Sequence, residues 1–147
     1  MDLARFPAFQ TYAVFAVVLC VFSLALDGAG AVYRGRSKYT LNREDSTTTS
    51  KGAKLAEEEN ADVARANRAW RNAFANIVPF LFVALIYVLT GVPAKAATIY
   101  FSVFAGARLI HAIVYLGGKQ PWRTISFVVG QLAILGMAVH VIRWAIA

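Results

Sequence analysis

Four long apolar runs, separated by shorter polar segments, dominate the pattern along this chain. The runs cover about residues 6–33, 72–92, 96–116 and 122–146. An α-helix rises about 1.5 Å per residue, so about 20 apolar residues cross the hydrocarbon core of a bilayer. The pattern therefore predicts an all-α integral membrane protein, a four-helix bundle formed by a single domain over residues 1–147.

Polar segments connect the predicted spans. Residues 34–54 are rich in Lys, Arg, Ser and Thr and have no apolar period, so they are predicted to form a loop. From Leu55 the pattern is helical, and acidic residues lie near this start, where the helix dipole favours them. They are Glu57, Glu58, Glu59 and Asp62. The second helix is thus expected to begin in water, enter the membrane and bend at Pro79.

The composition narrows the choice of partners. The chain has 147 residues, of which 59% are hydrophobic, and a formal net charge of +7. On a soluble protein such a charge would favour nucleic acid as a partner. Here the basic residues cluster between runs long enough to span a bilayer. Membrane lipids with anionic headgroups and an anionic ligand are therefore the expected partners, and nucleic acid is not.

The basic residues also predict the orientation of the bundle. Four spans put both termini on one side of the membrane and the first and third loops on the other. Those loops and the start of helix two carry most of the basic residues, whereas the terminal side has Arg5, Lys95 and Arg143. The positive-inside rule then puts the loops and their adjoining helix ends in the cytosol, and both termini on the opposite side.

Polar residues on the second helix recur at helical spacing. Arg68, Asn72 and Asn76 share one face, and Arg71 lies beside Arg68 around the helix. The face is either a helix start that contacts water and headgroups or part of a binding site. Amides inside a membrane bundle need partners there, which favours a site for Asn72 and Asn76.

The third helix carries Arg108, His111 and Tyr115 at i, i+3 and i+7. An arginine in a span costs at least about 2.5 kcal/mol on insertion, and such residues usually face an interior cavity, so Arg108 is the clearest functional signal. His111 could instead be a structural hydrogen-bonding group, and Tyr115 an interface tyrosine. No second His or acidic residue stands at ligand spacing, so no metal site is predicted.

Arg123 and Thr124 open the fourth helix, directly after Pro121 and Trp122. Free backbone N–H groups at a helix start add to the guanidinium charge and suit an anion, although a snorkelling arginine with a tryptophan anchor gives the same pattern. Arginines on three helices at one membrane face describe a pocket for a ligand with several carboxylates. Positive charge there would also favour a thiolate.

The ordered motifs on these helices resemble a known family, the membrane-associated proteins in eicosanoid and glutathione metabolism. The likeness is closest to the branch of microsomal glutathione S-transferases and prostaglandin E synthases, and it covers nearly the whole chain. The strings that carry it are Arg-Ala-Trp-Arg-Asn at 68–72, Asn-Ile-Val-Pro-Phe at 76–80, Arg-Leu-Ile-His at 108–111 and Gln-Pro-Trp-Arg-Thr at 120–124. Asn-Arg-Glu-Asp at 42–45 is similar to an Asn-Pro-Glu-Asp stretch in the synthase loop.

The resemblance implies a homotrimer that binds glutathione between neighbouring subunits near the cytosolic face, with a lipophilic electrophile entering from the bilayer. The residues it assigns to glutathione are Arg68, Arg71, Asn72, Asn76, Arg108, His111 and Tyr115, with Arg34 reaching across from the next subunit. It implies that Arg123 stabilises the thiolate, that Thr124 stands beside the sulfur, and that Asp45 assists catalysis.

Three positions depart from the family pattern. Trp70 replaces a histidine, Ala73 an aspartate, and Ala75 the glutamate that grips the amino group of glutathione in relatives. Phe127 also replaces a tyrosine of the synthase, which argues against prostaglandin isomerisation. Two functions follow: a glutathione transferase, with peroxidase activity as a further property, or a non-catalytic module of the same fold that binds lipid or glutathione.

The predicted orientation can be tested with site-specific labels. Tags at Met1 and Ala147 should be shielded from a cytosolic probe, whereas a tag inserted at Thr48 should react, because the charge asymmetry between loops sets the orientation. Labelling of both termini and Thr48 from the same side would contradict the arrangement of four spans.

Overall fold

The computed structural model describes residues 5–48 and 51–147. Four long helices account for most of this part of the chain: α1 (Phe9–Ser37), α3 (Ala61–Leu89), α4 (Ala94–Leu116) and α5 (Trp122–Ala145). A short helix, α2 (Arg43–Thr47), and two short strands, β1 (Tyr39–Thr40) and β2 (Lys54–Leu55), lie between α1 and α3. The long helices are each long and apolar enough to cross a membrane, which confirms the predicted all-α membrane bundle.

Helix α1 is longer than the apolar run that predicts it. It continues from residue 33 to Ser37, and Lys38 then ends it in the left-handed conformation with φ of 56°. Hydropathy marks where the lipid begins, whereas backbone hydrogen bonding extends the helix into water. The basic side chain of Arg34 therefore belongs to the last turn of α1 and not to a loop.

Helix α3 begins later than the sequence pattern suggests. Its cap is Asn60, whose side chain accepts a hydrogen bond from Asp62 N at 3.0 Å, and its first residue is Ala61 rather than Leu55. Of the predicted acidic cluster, only Asp62 lies in the first turn. A capping side chain, which satisfies an otherwise free N–H group, decides this start more sharply than charge does. The helix then continues without a break through Pro79.

The connection between α1 and α3 has structure of its own. Strands β1 and β2 pair in parallel, with Tyr39 opposite Lys54 and Thr40 opposite Leu55. The segment predicted as a loop is therefore closed at its base, because the two chain ends that leave α1 and approach α3 are hydrogen-bonded to one another.

Aromatic rings join three of the long helices in the core. Phe80 of α3 stacks on Phe104 of α4 with centroids 4.0 Å apart. Phe101, one turn earlier on α4, meets Phe80 edge-on at 5.4 Å and Phe15 of α1 at 5.7 Å. These rings are rigid and large, so they fix the level at which the helices meet.

The outer surface of the bundle is apolar and the interior contains polar groups. Leu24 is 71% exposed and Phe82 is 67% exposed, as expected for side chains whose solvent is lipid. The buried polar side chains on α3, α4 and α5 are Asn76, Arg108, His111 and Ser126. They lie toward the end of the bundle that carries the connection between α1 and α3. At this end Arg65 Nη1 donates to Leu116 O at 3.4 Å and so joins the start of α3 to the end of α4.

Candidate active site

The Arg108 guanidinium lies inside the bundle between α4 and α5. The residue is only 1% exposed, and its Nη2 donates to Phe127 O at 3.1 Å. Its Cζ lies 5.6 Å from the ring centroid of Phe104 and 5.4 Å from that of Phe127. Aromatic faces attract a cation, so these rings offset part of the cost of removing the charge from water.

A glycine on α5 makes room for this side chain. A Cβ atom at Gly130 would lie 2.5 Å from Arg108 Nη2 and 3.0 Å from Nε. Any side chain at this position would displace the guanidinium, because real Cβ atoms essentially never approach another atom so closely. Gly130 therefore acts as part of the site, although it carries no functional group.

Two of the three donor nitrogens of Arg108 remain without a hydrogen-bond partner. Both Nε and Nη1 are buried and meet no acceptor among the described residues. A buried donor without an acceptor loses its hydration and gains nothing in return, at a cost of about 1–3 kcal/mol or more for a charged group. An anion bound at this position would restore both hydrogen bonds and neutralise the charge.

His111 lies one turn after Arg108 and links α4 to the start of α5. Its Nδ1 is 3.0 Å from Arg123 O and 3.3 Å from Ser126 Oγ. A carbonyl oxygen only accepts hydrogen bonds, so Nδ1 carries the proton, and Nε2 of the neutral ring is an acceptor. This Nε2 is buried and has no partner among the described residues.

Arg123 is held at the mouth of this region by aromatic and amide contacts. Its Cζ lies 4.9 Å from the ring centroid of Tyr115. When the Gln120 amide is oriented to satisfy its neighbours, its oxygen accepts from Arg123 Nε at 3.2 Å and from Nη2 at 2.8 Å, and its nitrogen donates to Thr124 Oγ1 at 3.2 Å. Thr124 itself is exposed at the start of α5.

Amide side chains connect α3 to the same group. Gln131, the residue after Gly130, donates from Nε2 to Asn76 Oδ1. Asn76 Nδ2 in turn donates to Asn72 O at 2.6 Å, and the Asn72 side-chain oxygen is buried without a partner in the described part of the chain. The helix carrying Asn72 is therefore tied to α5 at the level of Arg108.

The predicted site residues divide into three groups in the structure. The first, on α4 and α5, comprises Arg108, His111, Tyr115 and Arg123 with the neighbouring Thr124, and the α3 amides Asn72 and Asn76 join it through Gln131. The second, Arg68 and Arg71, is exposed on α3. The third, Arg34 and Asp45, lines a different cavity of about 150 Å³ between α1 and the start of α3, whose lining includes no residue of α4 or α5.

The carboxylate of Asp45 is oriented within the connecting segment. Its Oδ2 accepts from Asn42 Nδ2 at 3.2 Å and from Thr40 Oγ1 at 3.5 Å. These contacts position the carboxylate in the cavity that it shares with Arg34.

Sequence reasoning did not assign a role in the site to Ser126, Phe127 or Gly130. Ser126 bridges the carbonyl of Trp122 at 2.8 Å and that of Arg123 at 3.1 Å and so supports the first turn of α5. The available signal was their spacing, because residues three, four and seven after Arg123 share a helix face with it.

Comparison with known proteins identifies one matching family and several similar proteins. The sequence profile of the MAPEG family matches residues 11–143. Microsomal glutathione S-transferase 1 of Homo sapiens is 35% identical over 138 residues, covering 92% of this chain and 89% of the relative. The protein of the same name from Rattus norvegicus is 38% identical over 146 residues, covering 97% and 92%. Prostaglandin E synthase of Equus caballus is 34% identical over 110 residues, covering 74% and 71%.

Both the profile and the two glutathione S-transferase relatives extend over the four long helices that frame the Arg108 group. The resemblance first seen in the helix motifs is thereby confirmed. The chain is an integral membrane protein and belongs to the MAPEG family.

Proposed function

We propose that this protein is a membrane-bound glutathione transferase that conjugates the glutathione thiolate to hydrophobic electrophiles from the bilayer. The observation that carries the proposal is the buried Arg108 guanidinium, whose Nε and Nη1 have no acceptor among the described residues. The names of the relatives support glutathione as the thiol, since two of them are microsomal glutathione S-transferases.

The free polar atoms of the site match the groups of glutathione. Arg108 offers two buried donors, which suit a carboxylate. His111 Nε2 and the Asn72 side-chain oxygen are buried acceptors, which suit the N–H groups of a peptide. Glutathione carries both kinds of group, so it would satisfy atoms that the chain leaves unpaired.

Arg123 is the proposed source of thiolate stabilisation. Its guanidinium, packed on Tyr115, places a positive charge at the start of α5, where the helix dipole is also positive. The sequence pattern suggested free N–H groups here, but those of Arg123, Thr124 and Ile125 donate to the carbonyls of Lys119 and Pro121, so the charge carries the effect. A nearby positive charge lowers the pKa of a thiol and so increases the thiolate fraction. When bound, glutathione loses its thiol proton to solvent and supplies this thiolate. The thiolate forms a carbon–sulfur bond to the electrophile as the bond to a leaving group breaks, or as a polarised double bond opens, and the leaving group or the opened bond takes the electron pair. His111 and Ser126 hold the Arg123 backbone and so act as positioning residues.

The exposed basic residues are the proposed contribution of an assembly. Arg34, Arg68 and Arg71 are exposed in the single chain and have no place in the buried group. In a homotrimer, Arg34 of one subunit would extend toward Arg71 and the buried Arg108 group of the next subunit. Asp45, which lines the same cavity as Arg34, would then also lie near that group. The unequal distribution of basic residues between the loops predicts that this site lies at the cytosolic face.

Replacing Arg108 by Leu tests the binding role of the buried charge. We expect the glutathione affinity, measured by calorimetry in detergent, to fall at least about 30-fold, because removing one partner of a buried charged contact costs 2 kcal/mol or more. The thermal unfolding temperature should stay the same or rise, since the buried charge is itself costly. Lys119→Leu, which removes an exposed cation near the same membrane face, is the matched control and should leave affinity unchanged. Unaltered affinity with a lower unfolding temperature would show that Arg108 has a structural role only.

Replacing Arg123 by Ala separates a transferase from a non-catalytic binding module. With saturating glutathione near neutral pH, the ultraviolet thiolate absorbance of the wild type should fall several-fold in Arg123→Ala, because the charge that favours the ionised sulfur is gone. Lys95→Ala, at the opposite end of the bundle, should keep the signal. A wild-type protein that binds glutathione without any thiolate signal would exclude the transferase and favour the binding module.

Restoring the missing carboxylate tests the identity of the ligand. Ala75 is exposed on α3, so Ala75→Glu adds a carboxylate without disturbing the core. We expect it to tighten binding of glutathione and S-hexyl glutathione about ten-fold or more through a charge-assisted hydrogen bond to the ammonium.

Mercaptopropionate, which lacks an amino group, should bind Ala75→Glu as it binds the wild type. The control Ala61→Glu adds the same charge about 21 Å away along α3 and should have no effect. Equal affinities of Ala75→Glu and wild type for glutathione would contradict the assigned position of the amino group.

A further inference from the structure

A second cluster of polar and aromatic side chains lies on α4 and α5, away from the Arg108 group. It borders an open groove of about 560 Å³ on the outside of the bundle. The lining residues are Tyr100, Gly136, Val139, His140, Arg143 and Trp144. Neither the motifs of the family resemblance nor the proposed transferase uses any of them.

The groove lies at the opposite membrane face from the candidate active site. Arg143 follows Arg123 by twenty residues on the continuous helix α5, a distance of about 30 Å along its axis. This distance equals the thickness of the hydrocarbon core. If one of the two arginines lies at a headgroup level, the other lies at the headgroup level of the other leaflet.

The floor of the groove depends on a close contact between α4 and α5. A Cβ atom at Gly136 would lie 2.7 Å from Tyr100 Cε1 and 3.1 Å from its hydroxyl oxygen, so only glycine lets this ring lie against α5. The buried ring of Tyr87 supports Tyr100 from below, edge-on at 5.7 Å. The glycine thus forms a recess where a larger residue would leave a flat helix surface.

His140 is held in a defined orientation at the side of the groove. The Thr90 hydroxyl donates its single proton to Tyr87 O at 2.7 Å. Its oxygen therefore accepts from His140 Nε2, which lies 3.2 Å away. The histidine ring also packs edge-on against Tyr87 at 4.9 Å. These contacts use one ring nitrogen and leave Nδ1 free of the protein's own hydrogen bonds in the described part of the chain.

Arg143 has no acidic side chain as a partner at this end of the bundle among the residues that the structure describes. All acidic residues that the structure describes lie between Asp27 and Asp62. Even Asp27 is ten residues from the end of α1, in the half of the bundle that faces the connecting segment. No described acidic side chain therefore competes with an external anion for Arg143.

We propose that this groove binds a phospholipid of the leaflet opposite Arg123, with its phosphate on Arg143 and an acyl chain over Val139 and Gly136. A guanidinium matches a phosphate group in a two-point contact. Trp144 and Tyr100 are the residue types that favour the headgroup level of a membrane, and Val139 is an exposed apolar side chain. An amphiphile fits this combination of a charge, two aromatic rings and an apolar side chain better than a soluble anion does.

Native mass spectrometry of the full-length protein in detergent tests the proposal with dioleoylphosphatidylglycerol as the probe. Dioleoylglycerol, glycerol phosphate and oleate supply the chains alone, the phosphate alone and a carboxylate with a chain. We expect the phospholipid to bind at least about ten-fold more tightly than any of these. Dioleoylglycerol lacks the anion, glycerol phosphate lacks the chains, and oleate offers one chain and a carboxylate in place of the phosphate that matches a guanidinium.

Two variants and one control locate the binding. Arg143→Gln should weaken phospholipid binding at least about ten-fold. Val139→Trp, which fills the groove from an exposed position and keeps the charge, should weaken it as well. Lys95→Gln removes a cation from the same end of the bundle but outside the groove and should leave binding unchanged. Circular dichroism and thermal unfolding monitor whether each variant is folded.

Several results would overturn the proposal. Equal phospholipid binding by wild type and Arg143→Gln would exclude the groove, and equal weakening by Lys95→Gln would indicate diffuse attraction to the surface. Oleate binding as tight as the phospholipid would exclude a phosphate site. A change in the number of chains per complex on Arg143→Gln, at constant lipid count, would identify the groove as a contact between subunits.

Discussion

The burial of the Arg108 guanidinium between α4 and α5 is the constraint on which the site depends. A charge in a membrane span is costly, and the chain compensates it only in part. The carbonyl of Phe127 and the rings of Phe104 and Phe127 surround it, and Gly130 leaves it space, but two of its donors stay unpaired among the described residues. A buried cation with unpaired donors is suited to bind an anion. The Arg108 guanidinium, whose burial is the most costly in the bundle, is therefore also the best indicator of function.

The interactions that hold α4 against α5 also shape the site. His111 donates to the carbonyl of Arg123, and the Ser126 hydroxyl contacts both that carbonyl and the His111 ring. The first turn of α5 is thus attached to α4 through the backbone of Arg123, the residue that we assign to thiolate stabilisation. On the other side, Gln131 ties α5 to Asn76 of α3. Because packing and site share these contacts, a change in either is expected to affect the other.

The departures from the family pattern have different physical meanings. Ala73 is buried, 3% exposed, in the stripe of alanines that lets α3 approach its neighbours, so a carboxylate there would have to be accommodated within the bundle. Ala75 is exposed on α3 and could carry a larger side chain without intramolecular conflict. Trp70 stacks on Phe74 at 5.8 Å, which replaces a polar ring by an apolar pair at the same level. Under the proposed function, the missing carboxylate at Ala75 is the departure expected to affect ligand binding.

Hydropathy and motif order by themselves determined the membrane bundle, the family and the helix that carries each candidate residue of α3, α4 and α5. Long apolar runs leave few alternatives in lipid, where every backbone group needs an internal partner. Periodicity also grouped Arg108 with His111, since helical spacing is local. It could not show that Gly130 accommodates Arg108, that a carbonyl sets the tautomer of His111, or that Arg34 and Asp45 line a separate cavity. Each of these depends on contacts between helices distant in the chain, and only tertiary packing decides which faces meet and which polar atoms stay unpaired.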